Sequence, residues 1–242
     1  MSMLEDRVRD GTSRSGPDPS PGLPDPVALD PEASTALLQI ARAAVTAAAT
    51  RRRATPAGLV GAVAAVSTRA EGRAGSSVSS APAPSPARVA ALTEPGAAFV
   101  TLTERGSLRG CMGSLVAELP LGEAVASAGL SAAAHDPRFL PVAEGELAAI
   151  HIDVSVLGPP MPLRDPMAFR PGVDGIIVAR DGRRALLLPE VATDLGWGAR
   201  EMLDAVCEKA GLEGHAWHDP RTRLFVFRTV RVSEAEEPAA GD

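Results

Sequence analysis

Hairpin signals constrain the fold of this chain more than any other feature of its sequence. Arg180-Asp181-Gly182 separates the apolar runs Gly175 to Ala179 and Arg183 to Leu188, and an Asp-Gly pair in that place is typical of a two-residue hairpin turn. A second hairpin is predicted from Ala97 to Met112, around the turn Thr103-Glu104-Arg105-Gly106. Because hairpins join antiparallel neighbours, the sequence predicts mostly antiparallel pairing.

Helical spacing of apolar residues predicts the remaining regular structure. The pattern predicts helices from Glu32 to Thr50, after Pro56, from Leu121 to Ala134 and from Ala199 to Ala210, with further strands from Glu146 to Leu157 and from Arg223 to Val232. Helices and strands do not alternate regularly. The predicted fold class is therefore α+β, a mostly antiparallel sheet flanked by helices.

Composition divides the chain into a folded part and polar segments. Residues 1–31 are rich in proline, aspartate, serine and glycine and are predicted to be a disordered tail, because they bury too little apolar surface to offset the entropy of ordering. Residues 32–232 are predicted to form one domain, interrupted by a low-complexity linker at 69–87. Residues 233–242 are predicted to be a loose acidic tail.

Charge and cysteine content narrow the class of protein. The net charge of -6 argues against nucleic-acid binding, which depends on neutralising several phosphates. The single lysine, Lys209, is not part of a phosphate-binding Gly-Lys-Ser/Thr run. No segment is long and apolar enough to suggest a membrane span, and no signal peptide is indicated. With only two cysteines, the chain is predicted to be cytoplasmic.

The run Leu108-Arg109-Gly110-Cys111-Met112-Gly113 is the first candidate site. In an extended strand, Arg109 and Cys111 would share one face, and the guanidinium would lower the pKa of the thiol. Cys111 and Arg109 are thus candidate catalytic residues, and the amides of Gly110 and Gly113 are candidate anion ligands. The alternative is that Cys111 is a small apolar side chain in a tight turn. Cys207 is predicted to pack in the core.

Two further groups of polar residues are candidates for ligand binding. Asp136 either bonds local amides or lies near a ligand, and Arg138 is a two-pronged donor for a carboxylate or phosphate. His151, Asp153 and Ser155 share one strand face, but residues two apart on a strand lie too far apart for a hydrolase triad, so a solvated face is predicted. No metal site is predicted from the remaining histidines.

These motifs resemble the AMMECR domain family. The resemblance rests on the Leu108 to Gly113 run, Asp136-Pro137-Arg138-Phe139, Val154-Ser155-Val156-Leu157, Leu188-Pro189-Glu190-Val191 and Cys207 to Leu212. It implies a fold of two subdomains with the cysteine motif facing a cleft between them, and Asp153 and Ser155 lining that cleft. The chain departs from the family pattern at Met112, where isoleucine is common, and at Glu190, where glutamine is usual.

The resemblance also implies a biological setting. Bacterial family members are similar to protein A of the Amme-Memo-radical-SAM system, whose expected partners are a Memo-like protein and a radical SAM enzyme. One hypothesis is a cysteine-dependent enzyme or enzyme component that takes a small anionic ligand. The alternative is a non-catalytic adaptor or binding module whose cleft receives a partner segment. The sequence identifies neither a cofactor nor a substrate.

Overall fold

The computed structural model describes residues 29–70 and 86–235, which form an α+β fold with two four-stranded antiparallel sheets. The elements are α1 (Pro31–Ala49), α2 (Pro56–Ala70), α3 (Pro86–Thr93), β1 (Ala97–Glu104), β2 (Ser107–Gly113), α4 (Leu121–Ala134), β3 (Ile150–Leu157), β4 (Met161–Leu163), β5 (Gly175–Arg180), β6 (Arg183–Leu187), α5 (Pro189–Leu195), α6 (Ala199–Lys209), β7 (Arg223–Phe227) and β8 (Thr229–Ser233). Short 3-10 helices lie at Glu144–Glu146, Pro166–Ala168 and Gly214–His218.

The first lobe is a sheet of order β2-β1-β3-β8 with helices packed on one face. Strand β1 alternates strictly, so Val100 and Leu102 are buried against α4 while the residues between them face the other side. In α1, the buried residues recur at helical spacing and include Leu37 and Ile40. Asp30 caps the helix by accepting a hydrogen bond from the amide of Ala33 at 2.7 Å.

The second lobe is a sheet of order β4-β7-β5-β6 covered on one face by α5 and α6. Residues Ile176 and Val178 of β5 pack against this helical side, whereas Ile177 between them faces the opposite way. That opposite face packs against the end of the first sheet through Phe227, which is fully buried. A shared apolar cluster therefore joins the two lobes.

Both predicted hairpins are confirmed. Each turn has two residues at positive φ, Arg105 and Gly106 in one and Asp181 and Gly182 in the other. This conformation matches the right-handed twist of the flanking strands and explains why glycine holds the second position in both.

The predicted strand from Arg223 to Val232 is wrong in one respect, because the structure divides it. Strand β7 belongs to the second sheet, strand β8 belongs to the first, and Arg228 lies between them. Alternation of apolar residues continues across this break, so the pattern alone does not locate it. The chain thus crosses from one lobe to the other within a single residue.

Other predicted boundaries need adjustment. Helices α3 and α5 and strand β4 were not predicted, and β3 begins four residues later than expected, after the 3-10 helix Glu144–Glu146. The ends of the predicted linker at 69–70 and 86–87 are helical, and its residues 71–85 lie outside the described part, as do residues 1–28 of the predicted tail. Among the described residues, no helix is long and apolar enough to cross a membrane.

The start of the predicted loose acidic tail is ordered. Glu234 accepts hydrogen bonds from the guanidinium of Arg42, at 2.8 Å to Nε, and from the amide of Ile152 at 3.0 Å. Arg42 also donates to the carbonyl oxygens of Leu147 and Ile150. One arginine of α1 therefore binds both Glu234 and residues at or just before the start of β3.

Replacing Glu234 by glutamine is expected to lower the free energy of unfolding by about 1 kcal/mol, because a partly buried charge-assisted contact is lost. Urea unfolding measures the change. The matched control is Glu118→Gln, at an exposed glutamate with no ion pair in the described part of the chain. Equal stability of the wild type and the Glu234→Gln variant would contradict an ordered role for this residue.

Candidate functional site

A β-bulge determines where the residues of the cysteine motif point. Cys111 pairs with Thr101 and Gly110 pairs with Leu102, but Leu108 pairs with Thr103, so the register shifts by one residue. Arg109 is the extra residue of β2, and the simple alternation expected from the sequence does not hold there. The Cys111 side chain lies on the face of the sheet opposite α4, half-buried.

Arg109 is not the arginine beside the thiol, which corrects the expected pairing of these two residues. Its guanidinium donates to Glu146 at 2.8 Å from Nε and 3.1 Å from Nη2, and to the carbonyl oxygen of Leu140 at 2.9 Å. The ion pair lowers the pKa of Glu146. Arg109 therefore holds the loop after α4 in place, and any catalytic role for it would act through that loop.

Arg138 occupies the place that the sequence assigned to Arg109. The carboxylate of Asp136 binds it through two bonds, 2.9 Å from Nε and 2.7 Å from Nη2, and Nη2 also lies 3.3 Å from the carbonyl oxygen of Cys111. The two-pronged face of Arg138 is thus used within the protein. Its Nη1 takes part in none of these bonds, and 53% of the side chain is exposed.

Asp136 fixes both the arginine and the strand. Its carboxylate also accepts hydrogen bonds from the amides of Cys111, at 2.8 Å, and Arg138, at 3.1 Å. These donors, the Arg138 guanidinium first, hold the pKa of Asp136 far below its usual range. The structure confirms that Asp136 bonds a local amide, that of Arg138, and it adds a distant one, that of the cysteine.

The surroundings of Cys111 disfavour the thiolate form of its side chain. Burial raises its pKa above the ordinary value, which reverses the expected direction. Three groups act the other way: the hydroxyl of Thr101, 3.3 Å from Sγ, and the positive charges of Arg138 and Lys209. The site therefore contains the means to stabilise a thiolate, but desolvation outweighs them in the free protein.

Lys209 brings the second lobe into this site. It is the last residue of α6 and the only lysine of the chain. Its side chain is exposed, yet partial removal from water lowers its pKa, and its charge interacts with both Cys111 and Arg138. Lys209 was not predicted as a site residue, because it lies 98 positions after the cysteine, and the run Cys207 to Leu212 that contains it supported only the family resemblance.

Asp153 and Ser155 line the junction of the two lobes rather than a solvated face. They are 3% and 1% exposed, and they lie on the same sheet face as Cys111. Ser155 donates to Glu190 of α5 at 3.0 Å, and Arg231 donates to Asp153 at 2.8 Å. The prediction of a solvated strand face was wrong, because the second lobe covers this part of the sheet. Their predicted role in ligand binding stays a prediction.

The two glycines of the motif are explained by close packing. A Cβ atom on Gly110 would lie 2.4 Å from the carbonyl oxygen of Ala132 in α4, and one on Gly113 would lie 2.3 Å from the carbonyl oxygen of Ala98 in β1. The predicted binding of an anion by their amides stays a prediction.

Cys207 is fully buried in the core of the second lobe, as predicted. Within residues 29–70 and 86–235, the structure contains no group of three or more His, Cys, Asp or Glu residues that could hold a metal ion.

The reactivity of Cys111 follows from these contacts. In a Cys207→Ser background, the rate of alkylation by iodoacetamide is expected to rise with pH around a midpoint above that of an unperturbed cysteine, because burial raises the pKa of Cys111. Thr101→Val is expected to move the midpoint higher still, since the valine cannot donate to the sulfur. Mass spectrometry of the alkylated protein at a series of pH values measures both.

Thr103→Val is the matched control for this experiment, because Thr103 lies two residues along the same strand and pairs with Leu108 instead of Cys111. Its midpoint should equal that of the parent protein. A Cys111 midpoint below the ordinary cysteine value would show that the positive groups outweigh burial.

Two known proteins have sequences similar to that of this chain. A protein of Methanothermobacter thermautotrophicus is 48% identical over 136 residues, covering 54% of this chain and 71% of that protein. One from Thermococcus gammatolerans is 41% identical over 150 residues, covering 58% and 73%. Neither name states a function.

Structural comparison gives a matching result. The crystal structure of an uncharacterized protein from Pyrococcus horikoshii is similar with a TM-score of 0.66 and 28% identity, covering 88% of this chain and 96% of that one. The AMMECR1 family profile matches residues 61–232, more than half of the chain, and this range includes every residue of the site described above. The chain belongs to the AMMECR1 family.

Proposed function

We propose that this AMMECR1-family protein is a cysteine-dependent enzyme or enzyme component in which Sγ of Cys111 is the reacting atom. One observation carries the proposal: a half-buried sulfur accepts a hydrogen bond from a hydroxyl, and the positive charges of two residues from different lobes act on it. Such an arrangement is more specific than packing a small side chain requires, because a hydroxyl donor and the charges of Arg138 and Lys209 all favour the thiolate of one cysteine.

The same geometry suggests how the thiol is activated. An anionic group of the substrate would bind the exposed side of Arg138 and Lys209 and so be held beside the sulfur. Loss of the thiol proton to solvent leaves a thiolate that these cations stabilise. The thiolate then forms a bond to an electrophilic atom of the substrate, and the leaving group departs with the bonding electrons.

The partners are proposed from family membership. A Memo-like protein and a radical SAM enzyme are the expected partners of a protein similar to protein A of the Amme-Memo-radical-SAM system, and the match over residues 61–232 supports the family membership from which they are proposed. In that setting the cysteine would act on, or receive, a group that the radical enzyme makes or consumes.

A specific observation favours a second function, that of a non-catalytic adaptor. Leu140 is 84% exposed and Leu108 is 43% exposed, and both flank Arg109, which follows Leu108 in the cysteine motif and donates to the carbonyl oxygen of Leu140. Exposed leucines on either side of this arginine are suited to contact with a partner polypeptide. Under this function, Cys111 would contribute a contact and no chemistry.

Complementation separates the two functions. A strain of the native host that lacks the protein is supplied with the wild type, Cys111→Ser, Leu140→Asp or the control Cys207→Ser. The metabolite profile of each strain reports function. Affinity purification from the same strains, with identification by mass spectrometry, reports whether the Memo-like protein and the radical SAM enzyme are bound.

If the protein is a cysteine-dependent enzyme, Cys111→Ser should fail to restore the metabolite profile but should still bind both partners. If the protein is an adaptor, Cys111→Ser should restore the metabolite profile, whereas Leu140→Asp should neither bind the two partners nor restore the profile. If Cys111→Ser and Leu140→Asp both restore the metabolite profile and both bind the partners, the surface around Cys111 and Leu140 has neither function. Absence of both partners from the wild-type sample would reject the proposed setting.

A further inference from the structure

A cavity of about 540 Å³ lies on the second lobe, and none of its lining residues belongs to the Cys111 site. Its walls come from the segment at Pro166–Ala168, from the start of α6 and from the 3-10 helix Gly214–His218. The volume is in the range of cavities that bind small molecules in other proteins.

The cavity carries uncompensated positive charge. Arg164 and Arg200 line it, both are exposed, and within the described part of the chain their guanidinium groups make no hydrogen bond or ion pair. The acidic residue in the lining, Asp219, is occupied by Arg221 at 2.7 Å and Arg180 at 3.3 Å. Two free cations thus face one hollow in a protein whose net charge is -6, which favours an anionic ligand.

The rest of the lining is aromatic and apolar. The His218 ring stacks on Trp217 at 3.6 Å between centroids, and Trp217 is itself fixed because its indole N–H donates to Asp204 at 2.7 Å. An exposed Met167, at 54%, and Leu163 complete an apolar wall. This wall offers contact to a flat or apolar body rather than to a bare ion.

We propose that this cavity binds a small molecule with an anionic head group and a flat apolar body. Arg164 and Arg200 hold the head group, and the ring of His218, positioned by Trp217, contacts the body. The head group is a phosphate or a carboxylate, which share the chemistry that arginine recognises. The proposal does not depend on Cys111, so the two sites are tested separately.

Isothermal titration calorimetry with phenyl phosphate, benzoate, inorganic phosphate and phenol tests the proposal on the full chain. We expect saturable binding of phenyl phosphate or benzoate, the tighter of the two identifying the head group. Inorganic phosphate and phenol, which each have only half of the required chemistry, should bind at least about tenfold more weakly.

Variants assign the binding to this cavity. The double substitution Arg164→Gln and Arg200→Gln is expected to weaken binding of the tighter probe at least about tenfold, since both charge-assisted contacts are lost. The matched control replaces Arg52 and Arg105, exposed arginines of loops in the first lobe, by glutamine and should bind as the wild type does. All four substitutions are at exposed positions, and an unchanged melting temperature verifies the fold.

Three results would overturn the proposal. These are the absence of saturable binding for both phenyl phosphate and benzoate, an affinity of the tighter probe no higher than that of phenol or inorganic phosphate, and a loss of binding in the control double variant as large as that in Arg164→Gln with Arg200→Gln.

Discussion

Replacement of Gly110 by alanine is expected to lower the free energy of unfolding by about 3 kcal/mol. The added Cβ would lie 2.4 Å from the carbonyl oxygen of Ala132 and 3.3 Å from its carbonyl carbon. Both atoms belong to the backbone of α4, which cannot turn aside as a side chain can. Strand β2 would have to move away from the helix, and the buried contacts between them would be lost.

Urea unfolding of Gly110→Ala and of a control glycine variant measures this effect. Gly61→Ala is the matched control, because Gly61 lies in helix α2 with open space around the position of a Cβ. There the substitution should raise stability by about 0.5 to 1 kcal/mol, since alanine favours the helix. A Gly110→Ala protein as stable as the wild type would mean that β2 and α4 are less tightly packed than the structure describes.

This result also bears on how the cysteine motif is interpreted. Glycine on either side of a cysteine suggests an anion-binding turn, yet Gly110 is needed so that β2 can approach α4. The close approach fixes Cys111 on the opposite face of the sheet, toward the second lobe. Gly110 therefore positions the thiol from the α4 side of the sheet. Any effect of Gly110→Ala on the chemistry of Cys111 would follow from the loss of stability.

Local sequence signals predicted the elements of this fold well where one pattern was sufficient. The turn Asp181-Gly182 and the apolar spacing of Leu121–Ala134 each identify an element without help from distant residues. The division at Arg228 was not predictable in this way, because both flanking strands have compatible patterns and only the packing of two lobes separates them. The predicted fold class was confirmed, and the path of its last strand was not.

The site was predictable only in part, for a related reason. Cys111, Asp136 and Arg138 are recognised from short motifs, but the choice between Arg109 and Arg138 depends on a bulge that shifts one strand by one residue. The sequence from Leu108 to Gly113 contains no signal that predicts this shift. The charge of Lys209 acts on the thiol from the other lobe, and such an interaction follows from the tertiary fold alone.

Replacement of Asp136 by asparagine is expected to lower the free energy of unfolding by about 3 kcal/mol at neutral pH. The carboxylate is almost fully buried and accepts four hydrogen bonds, two from the Arg138 guanidinium and two from amides. An asparagine has one oxygen in that place, and its amide N–H groups would face other donors. The guanidinium of Arg138 would also lose its counter-charge.

The dependence on pH distinguishes this cause from a simple loss of packing. The pKa of Asp136 is lower in the folded protein than in the unfolded chain, where it is about 3.9. The ionised carboxylate therefore stabilises the fold above that value, and its contribution falls as the pH decreases below about 4. The stability difference between the wild type and Asp136→Asn should be largest at neutral pH and should shrink in acid.

Urea unfolding of both proteins from pH 7 down to about pH 3 measures that difference directly, because all other titrating groups are common to the two. Asp165→Asn is the matched control, since Asp165 is exposed and accepts one hydrogen bond at the start of a short 3-10 helix, so its effect should stay below about 1 kcal/mol. A difference that is constant over the pH range would assign the effect of Asp136→Asn to side-chain shape. A difference that shrinks in acid would assign it to the charge that holds Arg138 beside Cys111.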